Sequence, residues 1–398
     1  MTEPIMRVEH LYKIFSTQNT RSKEKEAYEA LQKDTPIEEV SKHYQVMIAL
    51  NDISLNIEEG KILVIIGLSG SGKSTLVRCL NLLHMPTAGK VLYKGTNILE
   101  YSPSQMQEFR RTKIAMVFQN FGLMSHRNVL QNVAYGLEVR GVERGQREKE
   151  ATAMLDMVGL TGWENKSIRS LSGGMKQRVG IARALTNNPE ILIMDEAFSA
   201  LDPLVRNDLQ LELLRIQERM QKTIVFITHD INEAFKLGDT VAILRDGKLI
   251  QVASPEEMLS HPADSYVQRF INTVDTTKVL TVRTITEVPG ALVREGSGAT
   301  LAVKVMGVNG VSSAYVLDEH MRYKGIVTLE AALAVLNGAK SYDDALITSV
   351  PCIKNPDTLI SDIVQLSAKT GFPLPVVDKD GMFLGIVTKA AVLTSLQK

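Results

Sequence analysis

The chain of 398 residues is 44% hydrophobic and 23% charged, enough for two or three separately buried cores. Its 45 basic and 45 acidic side chains cancel, which excludes a global field drawing it to nucleic acid or an anionic membrane. The apolar runs, such as 61–68, are strand-length, far short of the about 20 residues of a membrane span, and neither a span nor a signal peptide is expected.

The run Leu11-Tyr12-Lys13-Ile14-Phe15 opens the readable chain with two aromatics. Residues 17–46 are polar and mixed in charge, with helical stretches at 24–33 and 37–44 around Pro36. They read as an insertion between the first two strands, either a solvated hairpin or a contact element. Arg21, Lys23, Lys25 and Lys33 are the cations there that an anionic membrane surface would meet, but Glu24, Glu26 and Glu29 interleave with them, the pattern of a solvated helix.

Residues 53–67 read as a strand, a turn at Glu58-Glu59-Gly60 and a second strand over 62–66. That strand flows into Gly67-Leu68-Ser69-Gly70-Ser71-Gly72-Lys73-Ser74-Thr75 and an apolar helix. This is the phosphate-loop pattern GxxxxGK[ST] in the strand-to-helix context it requires. Glycines let successive N–H groups point inward, the helix end adds partial positive charge, Lys73 is a point charge for the β/γ-phosphates, and Ser74 offers its hydroxyl to Mg²⁺. Cys79 follows; it and Cys352 lie far apart and neither begins a CxxC, which fits two small buried side chains in a reducing compartment.

Short apolar runs at 114–118, 191–194, 224–227 and 241–244 alternate with helical stretches, the mark of an α/β fold with helices on the sheet faces. Over 101–170 strand signals fade, and 129–139 and 146–158 carry apolar residues at helical spacing, so a mostly helical arm is expected.

Leu171-Ser172-Gly173-Gly174-Met175-Lys176-Gln177-Arg178 opens a helix with Ser172 as a natural N-cap, a second anion-binding end. If the arm holds this end away from the phosphate loop, one site cannot use both from a single chain. The economical reading is that Ser172 and Gly174 cover the γ-phosphate held by a second copy. The strand ending in Asp195-Glu196 brings two acids to the carboxyl edge of the sheet, where α/β proteins bind ligands. Asp195 is expected to hold Mg²⁺ through water and Glu196 to polarise the attacking water.

The last 120 or so residues contain a gapless repeat. Val316, Asp318, Gly325, Ile326, Val327 and Thr328 recur 60 positions on as Val376, Asp378, Gly385, Ile386, Val387 and Thr388. Each copy reads as a strand, a polar turn, a second strand and a helix: a duplicated module of its own.

With these motifs in this order, the chain resembles the ATPase subunits of ABC transporters, whose signature LSGGMKQR is similar to. Gly67-Leu68-Ser69-Gly70-Ser71-Gly72, Arg127-Asn128-Val129-Leu130, Glu196-Ala197-Phe198-Ser199-Ala200-Leu201-Asp202-Pro203 and the insertion before Asn51 are similar to the glycine betaine/proline importers. The resemblance implies an α/β P-loop NTPase domain over 1–270, with the insertion at about 17–46 and a helical subdomain at about 101–175. An α+β tandem CBS module would follow over 271–398, divided at 337/338.

It further implies ATP and Mg²⁺ as cofactors. The phosphate-loop residues Gly67, Ser69, Gly70, Ser71, Gly72, Lys73, Ser74 and Thr75 would surround the phosphates, with Mg²⁺ held by Ser74, Gln119 and Asp195. Glu196, Gln119 and His229 would be catalytic, Gln119 also sensing the permease. Leu171, Ser172, Gly173, Gly174 and Gln177 would meet ATP on the other copy, and Ser199 and Asp202 would lie in the D-loop that crosses the dimer interface. Phe15 takes the place of the family's adenine-stacking aromatic, with Tyr12 as competitor.

The implied partners are a second copy and a transmembrane permease, with or without a fused substrate-binding domain, at the cytoplasmic face of the membrane; no nucleic acid is expected. The importer family's CBS pairs take adenosine-containing ligands or sense ionic conditions. The acid of the pattern GxxTxxD is Ala331 in one copy and Ala391 in the other, which weakens a simple ribose grip. Cyclic di-AMP between the modules of two chains, near Val316, Thr328, Val376 and Thr388, stands beside a ligand-free dimerising module. Importers of another small solute, such as an amino acid, and soluble ABC ATPases of DNA repair or ribosomes are the other readings; the latter usually carry a long coiled coil or two cassettes, absent from this sequence.

Overall fold

The strands Ile62–Ile66, Ile191–Asp195 and Thr223–Thr228 are buried at every position, as strands covered on both faces by helices must be. In the computed structural model, which describes residues 3–17, 20–272 and 274–396, they form the middle of a parallel sheet. Among the described residues its order is Lys248–Ala253, Thr240–Arg245, Ile62–Ile66, Thr223–Thr228, Ile191–Asp195, Ile114–Val117, the first pair antiparallel and the rest parallel. The strand before the phosphate loop and the strand carrying the two acids therefore flank Thr223–Thr228, and all three deliver their carboxyl ends to one edge.

A second, antiparallel sheet was not legible from the short runs. It orders Val46–Ile57, Met6–Ser16, Ala88–Tyr93 and Thr96–Asn97, and its inward residues Met6, Val8, Leu55 and Val91 share one core with Leu63, Ile65, Ile193 and Val225 of the parallel sheet. Glu190 fastens the two sheets together, accepting from Tyr93 Oη at 2.7 Å, Lys94 Nζ at 2.6 Å and Lys113 Nζ at 2.7 Å. Burial works to raise its carboxyl, but the donors from Lys113, Lys94 and Tyr93 together outweigh that and hold it at about 2.

The insertion folds as two helices, Arg21–Leu31 and Ile37–Tyr44. Ala27 and Val40 pack with Ile14 and Val46 of the flanking strands into a small core of their own, so it is a packed element and not a loose solvated hairpin. The helix Pro103–Thr112 buries Met106 and Phe109 in the main core. The arm thus begins after the strand Ile114–Val117 and comprises Val129–Val133, Tyr135–Val139 and Arg144–Met157 against Gly173–Leu185. Where one helix was expected over 129–139 there are two, parted at Ala134. No helix among the described residues is long and apolar enough to cross a membrane.

The chain divides into two units, Met1–Thr273 and Val274–Lys398. In the second, the offset of 60 seen in sequence recurs in the pairing. Val293 lies beside Val316 as Ile353 lies beside Val376. Ile326 bridges Ile347 as Ile386 bridges Glu287, and Arg322 bridges its own counterpart Met382. Each repeat is therefore edged by the segment that leads into the other, about a local two-fold. The glycine of GIVT marks that crossing: a Cβ at Gly325 would lie 2.9 Å from the Ile347 carbonyl oxygen, and one at Gly385 2.6 Å from that of Glu287.

Candidate nucleotide site

The phosphate loop bridges the end of Ile62–Ile66 and the helix Lys73–Leu80. At Gly72 φ is +103° and a Cβ would fall 2.4 Å from the Ala49 carbonyl oxygen, so no side chain fits there. Leu68, Ser69 and Gly70 form the exposed rim, while Ser71 and Lys73 are buried. Lys73 Nζ folds back to donate to the carbonyls of Gly67 at 2.8 Å and Leu68 at 3.0 Å. Burial lowers its pKa, opposed by the nearby Glu196 and Asp195 carboxylates. Ser71 Oγ is buried without a hydrogen-bond partner among the described residues.

The acid strand meets this loop directly. Ser74 Oγ donates to Asp195 Oδ1 at 2.9 Å, and Arg78 Nη2 stands 3.6 Å from Asp195 Oδ2. At Glu196 the chain leaves the strand with φ +46°, an uncommon backbone for a residue with a Cβ, and its N–H donates to the Ile227 carbonyl at 3.2 Å. Its carboxylate then lies 3.7 Å from His229 Nδ1, on the exposed end of the neighbouring strand. Gln119 Nε2 donates to Ser199 Oγ at 3.2 Å, and that hydroxyl donates to the Glu196 carbonyl at 2.9 Å.

Lys73, Ser74, Asp195, Glu196, His229, Gln119 and Ser199 are thus linked at one edge of the sheet. These groups fit a Mg²⁺-triphosphate: the orphaned Ser71 hydroxyl and the turned-back ammonium are donors suited to phosphate oxygens, and Ser74 with Asp195 is a hard oxygen pair of the kind Mg²⁺ takes.

The signature end has different neighbours. Ser172 Oγ caps Gly173–Leu185, accepting from Met175 N at 3.3 Å, and Ser172 and Gly173 are exposed. A Cβ on Gly174 would lie 2.5 Å from Val205 Cγ1, so this glycine presses the helix start onto Pro203–Met220, which Asp202 caps through Val205 N at 3.1 Å. Leu171 and Gln177 correct the expectation. Leu171 is buried, and Gln177 is fully buried with neither amide atom partnered among the described residues; both lie behind the exposed helix end that Ser172 and Gly173 present.

Of the two aromatics near the start, Tyr12 is buried edge-on against Tyr28 of the insertion at 5.0 Å, leaving Phe15 as the one with an accessible ring. Phe15 is half-buried, has Lys13 Nζ 4.5 Å over its face and meets His84 edge-on.

In the second unit the residues singled out serve the fold. Val316 and Val376 are fully buried, each in the core of its own repeat, so neither offers its side chain to a ligand. Thr328 and Thr388 cap helices, accepting from Ala331 N at 3.2 Å and Ala391 N at 3.1 Å.

One cluster escaped the sequence reading. Behind His229, the buried Glu233 accepts from Thr228 and Gln210, with Arg206 alongside. A charged residue among the buried Ile231, Ala234, Phe235 and Leu237 of one short helix was the available signal.

Comparison with known proteins accords with this geometry. A family model described as ABC transporter matches residues 50–199, and one described as CBS domain matches 347–398. The chain is 43% identical to the glycine betaine/carnitine transport ATP-binding protein of Listeria monocytogenes, over 98% of this chain and 97% of that one. It is 40% identical to the glycine betaine/proline betaine transport system ATP-binding protein of Salmonella typhimurium, over 99% and 98%. Among solved structures it is similar to a dimeric bacterial ABC transporter cassette, at 30% identity and a TM-score of 0.53 over 63% of this chain and 98% of that one.

Proposed function

The chain belongs to the ABC-transporter ATP-binding proteins, and on that premise we propose that it powers uptake of a quaternary ammonium osmoprotectant such as glycine betaine. It does so as a pair, on a separate transmembrane permease, at the cytoplasmic face of the membrane. The observation that carries the ATPase part is the convergence of Lys73, Ser74, Asp195, Glu196 and His229 on one sheet edge. The cargo rests on the relatives that align with nearly the whole chain and are named for betaine transport.

In the mechanism this supports, Lys73 exchanges the Gly67 and Leu68 carbonyls for phosphate oxygens. Ser74, Asp195 and Gln119 would hold Mg²⁺, which would offset the charge of the β/γ-phosphates. Glu196 accepts the proton of the attacking water, and His229 donates toward the γ-phosphate. Phe15 stacks on the adenine. Ser172 and Gly173 of a second copy close the site with their helix end, and Ser199 and Asp202 line the crossing between copies. Closure moves the permease and hydrolysis resets it.

The test is transport in vesicles holding this subunit and its permease, with radiolabelled glycine betaine and varied salt. ATP-dependent uptake is expected. Hydrolysis that drives uptake of a different solute would overturn the cargo, and ATPase activity with no permease co-purifying would favour a soluble role.

The finer regulatory reading is inhibition by cyclic di-AMP bound between the second units of two chains. Its support is the match to a CBS domain and the suitability of a two-fold ligand for a two-fold pair. Calorimetric titration of the full-length protein decides it: heat at micromolar cyclic di-AMP is expected, and none would leave a dimerising module without a ligand.

A further inference from the structure

The helix Ile231–Leu237 buries a carboxylate that takes no part in holding phosphate. Glu233 is 6% exposed, an environment that disfavours a charge unless its oxygens are satisfied. Here both are. Thr228 Oγ1 donates to Oε2 at 2.5 Å, and Gln210 Nε2 donates to Oε1 at 3.0 Å, with Arg206 Nε 3.7 Å away.

The partners on either side belong to two different functional segments. Thr228 immediately precedes His229, and its hydroxyl also accepts from Asp230 N at 3.0 Å, so the residues before and after His229 are fastened together and through Thr228 to Glu233. Arg206 reaches the other way. Its Nη2 donates to the Leu201 carbonyl at 3.1 Å, within the Ser199–Asp202 segment, while its Nη1 lies 3.9 Å from Asp230 Oδ2. Gln210 is held in turn by Lys236 Nζ, which donates to its Oε1 at 2.9 Å.

We propose that Glu233 is a positioning residue that ties His229 to the 199–202 segment of the same chain, so that a second copy engaging that segment sets the placement of His229. The physical reason is that one buried carboxylate joins the two sides: Thr228 and Gln210 fill its oxygens by hydrogen bonds, and Arg206 Nε, without a hydrogen-bond partner of its own among the described residues, is held to it by charge at 3.7 Å, where an apolar contact would slide. The inference rests on the ATPase reading above and adds a link between pairing and the reactive end of the site.

Glu233→Gln keeps size and shape, and its amide can donate to Thr228 while its carbonyl accepts from Gln210, so the variant folds. It loses the charge that faces Arg206. In steady-state hydrolysis by the full-length protein with its permease, kcat is expected to fall about ten-fold, with KM for ATP within about two-fold of wild type and Tm little changed.

A second readout separates positioning from simple support. In a His229→Ala background Glu233→Gln is expected to add no further loss, because it acts through His229. A full ten-fold loss in that background, or a lowered Tm with normal kcat in the single variant, overturns the proposal. Since the readout is turnover beside an active wild type, a wrong cargo leaves it untouched.

Discussion

In the first unit the motif residues stand at strand ends: the Ser71 hydroxyl is buried and, among the described residues, unpartnered, and Lys73 is turned onto its own loop carbonyls. In the second unit the equally recognisable repeat residues are all engaged by the fold. Val316 and Val376 fill cores, Thr328 and Thr388 cap helices, and Gly325 and Gly385 make room for a crossing segment. A recurrent sequence pattern therefore builds a phosphate-suited cradle in one place and meets an assembly constraint in the other. What marks the first is that donors suited to phosphate gather at one sheet edge: the Ser71 hydroxyl, unpartnered among the described residues, and the Lys73 ammonium on its own loop carbonyls.

The contrast is sharpest at Glu196. Glu196→Gln is expected to slow ATP turnover by about 10²- to 10⁴-fold while ATP binding persists and the paired, ATP-bound form accumulates, read by phosphate release and size-exclusion chromatography. Near-wild-type turnover would break the first half of the comparison. In the second unit, Gly385→Ala brings a Cβ to 2.6 Å from the Glu287 carbonyl oxygen. It should lower that unit's stability by about 1–3 kcal/mol, seen in calorimetry as an earlier transition for one unit only. No shift would mean that the crossing adapts, and that the glycine serves something other than the fold.

Ser71→Ala should move two observables in opposite directions. Removing a buried, unpartnered hydroxyl stabilises the fold by about 1 kcal/mol, while nucleotide affinity drops several-fold; a fall in Tm would show that the hydroxyl is satisfied within the protein. A further effect, of pH dependence, is expected at the joint between the sheets. Glu190 has a folded-state pKa of about 2, below its ordinary 4.5. Its contribution is therefore present above about pH 4.5 and lost as pH falls through about 2. Glu190→Gln should melt below wild type at neutral pH, with the gap closing on acidification over that window.

Much of the site was legible because local sequence encodes it. The strand, loop and helix around Lys73, the two acids after an apolar strand and the cap at Ser172 are each short contiguous patterns with a single physical reading. What stayed hidden depends on residues distant in sequence. The antiparallel sheet pairs Val8 with both Leu55 and Val91, which no local period reveals. Gln177 shares the signature's segment, yet helical geometry turns it inward. The two glycines of GIVT were visible as a repeat, but their reason, the carbonyls of Ile347 and Glu287, lies outside the repeated motif.

The edge exchange in the second unit also bears on descent. A chain holding one repeat would leave a sheet edge open, with nothing of its own to cover it, and two such chains would close each other by the same exchange. The unit has the form of a swapped pair made covalent. Duplication within one gene would have replaced an encounter that depends on concentration with one guaranteed by a linker, and from then on the two halves could diverge, as Arg322 facing Met382 across the local axis already shows.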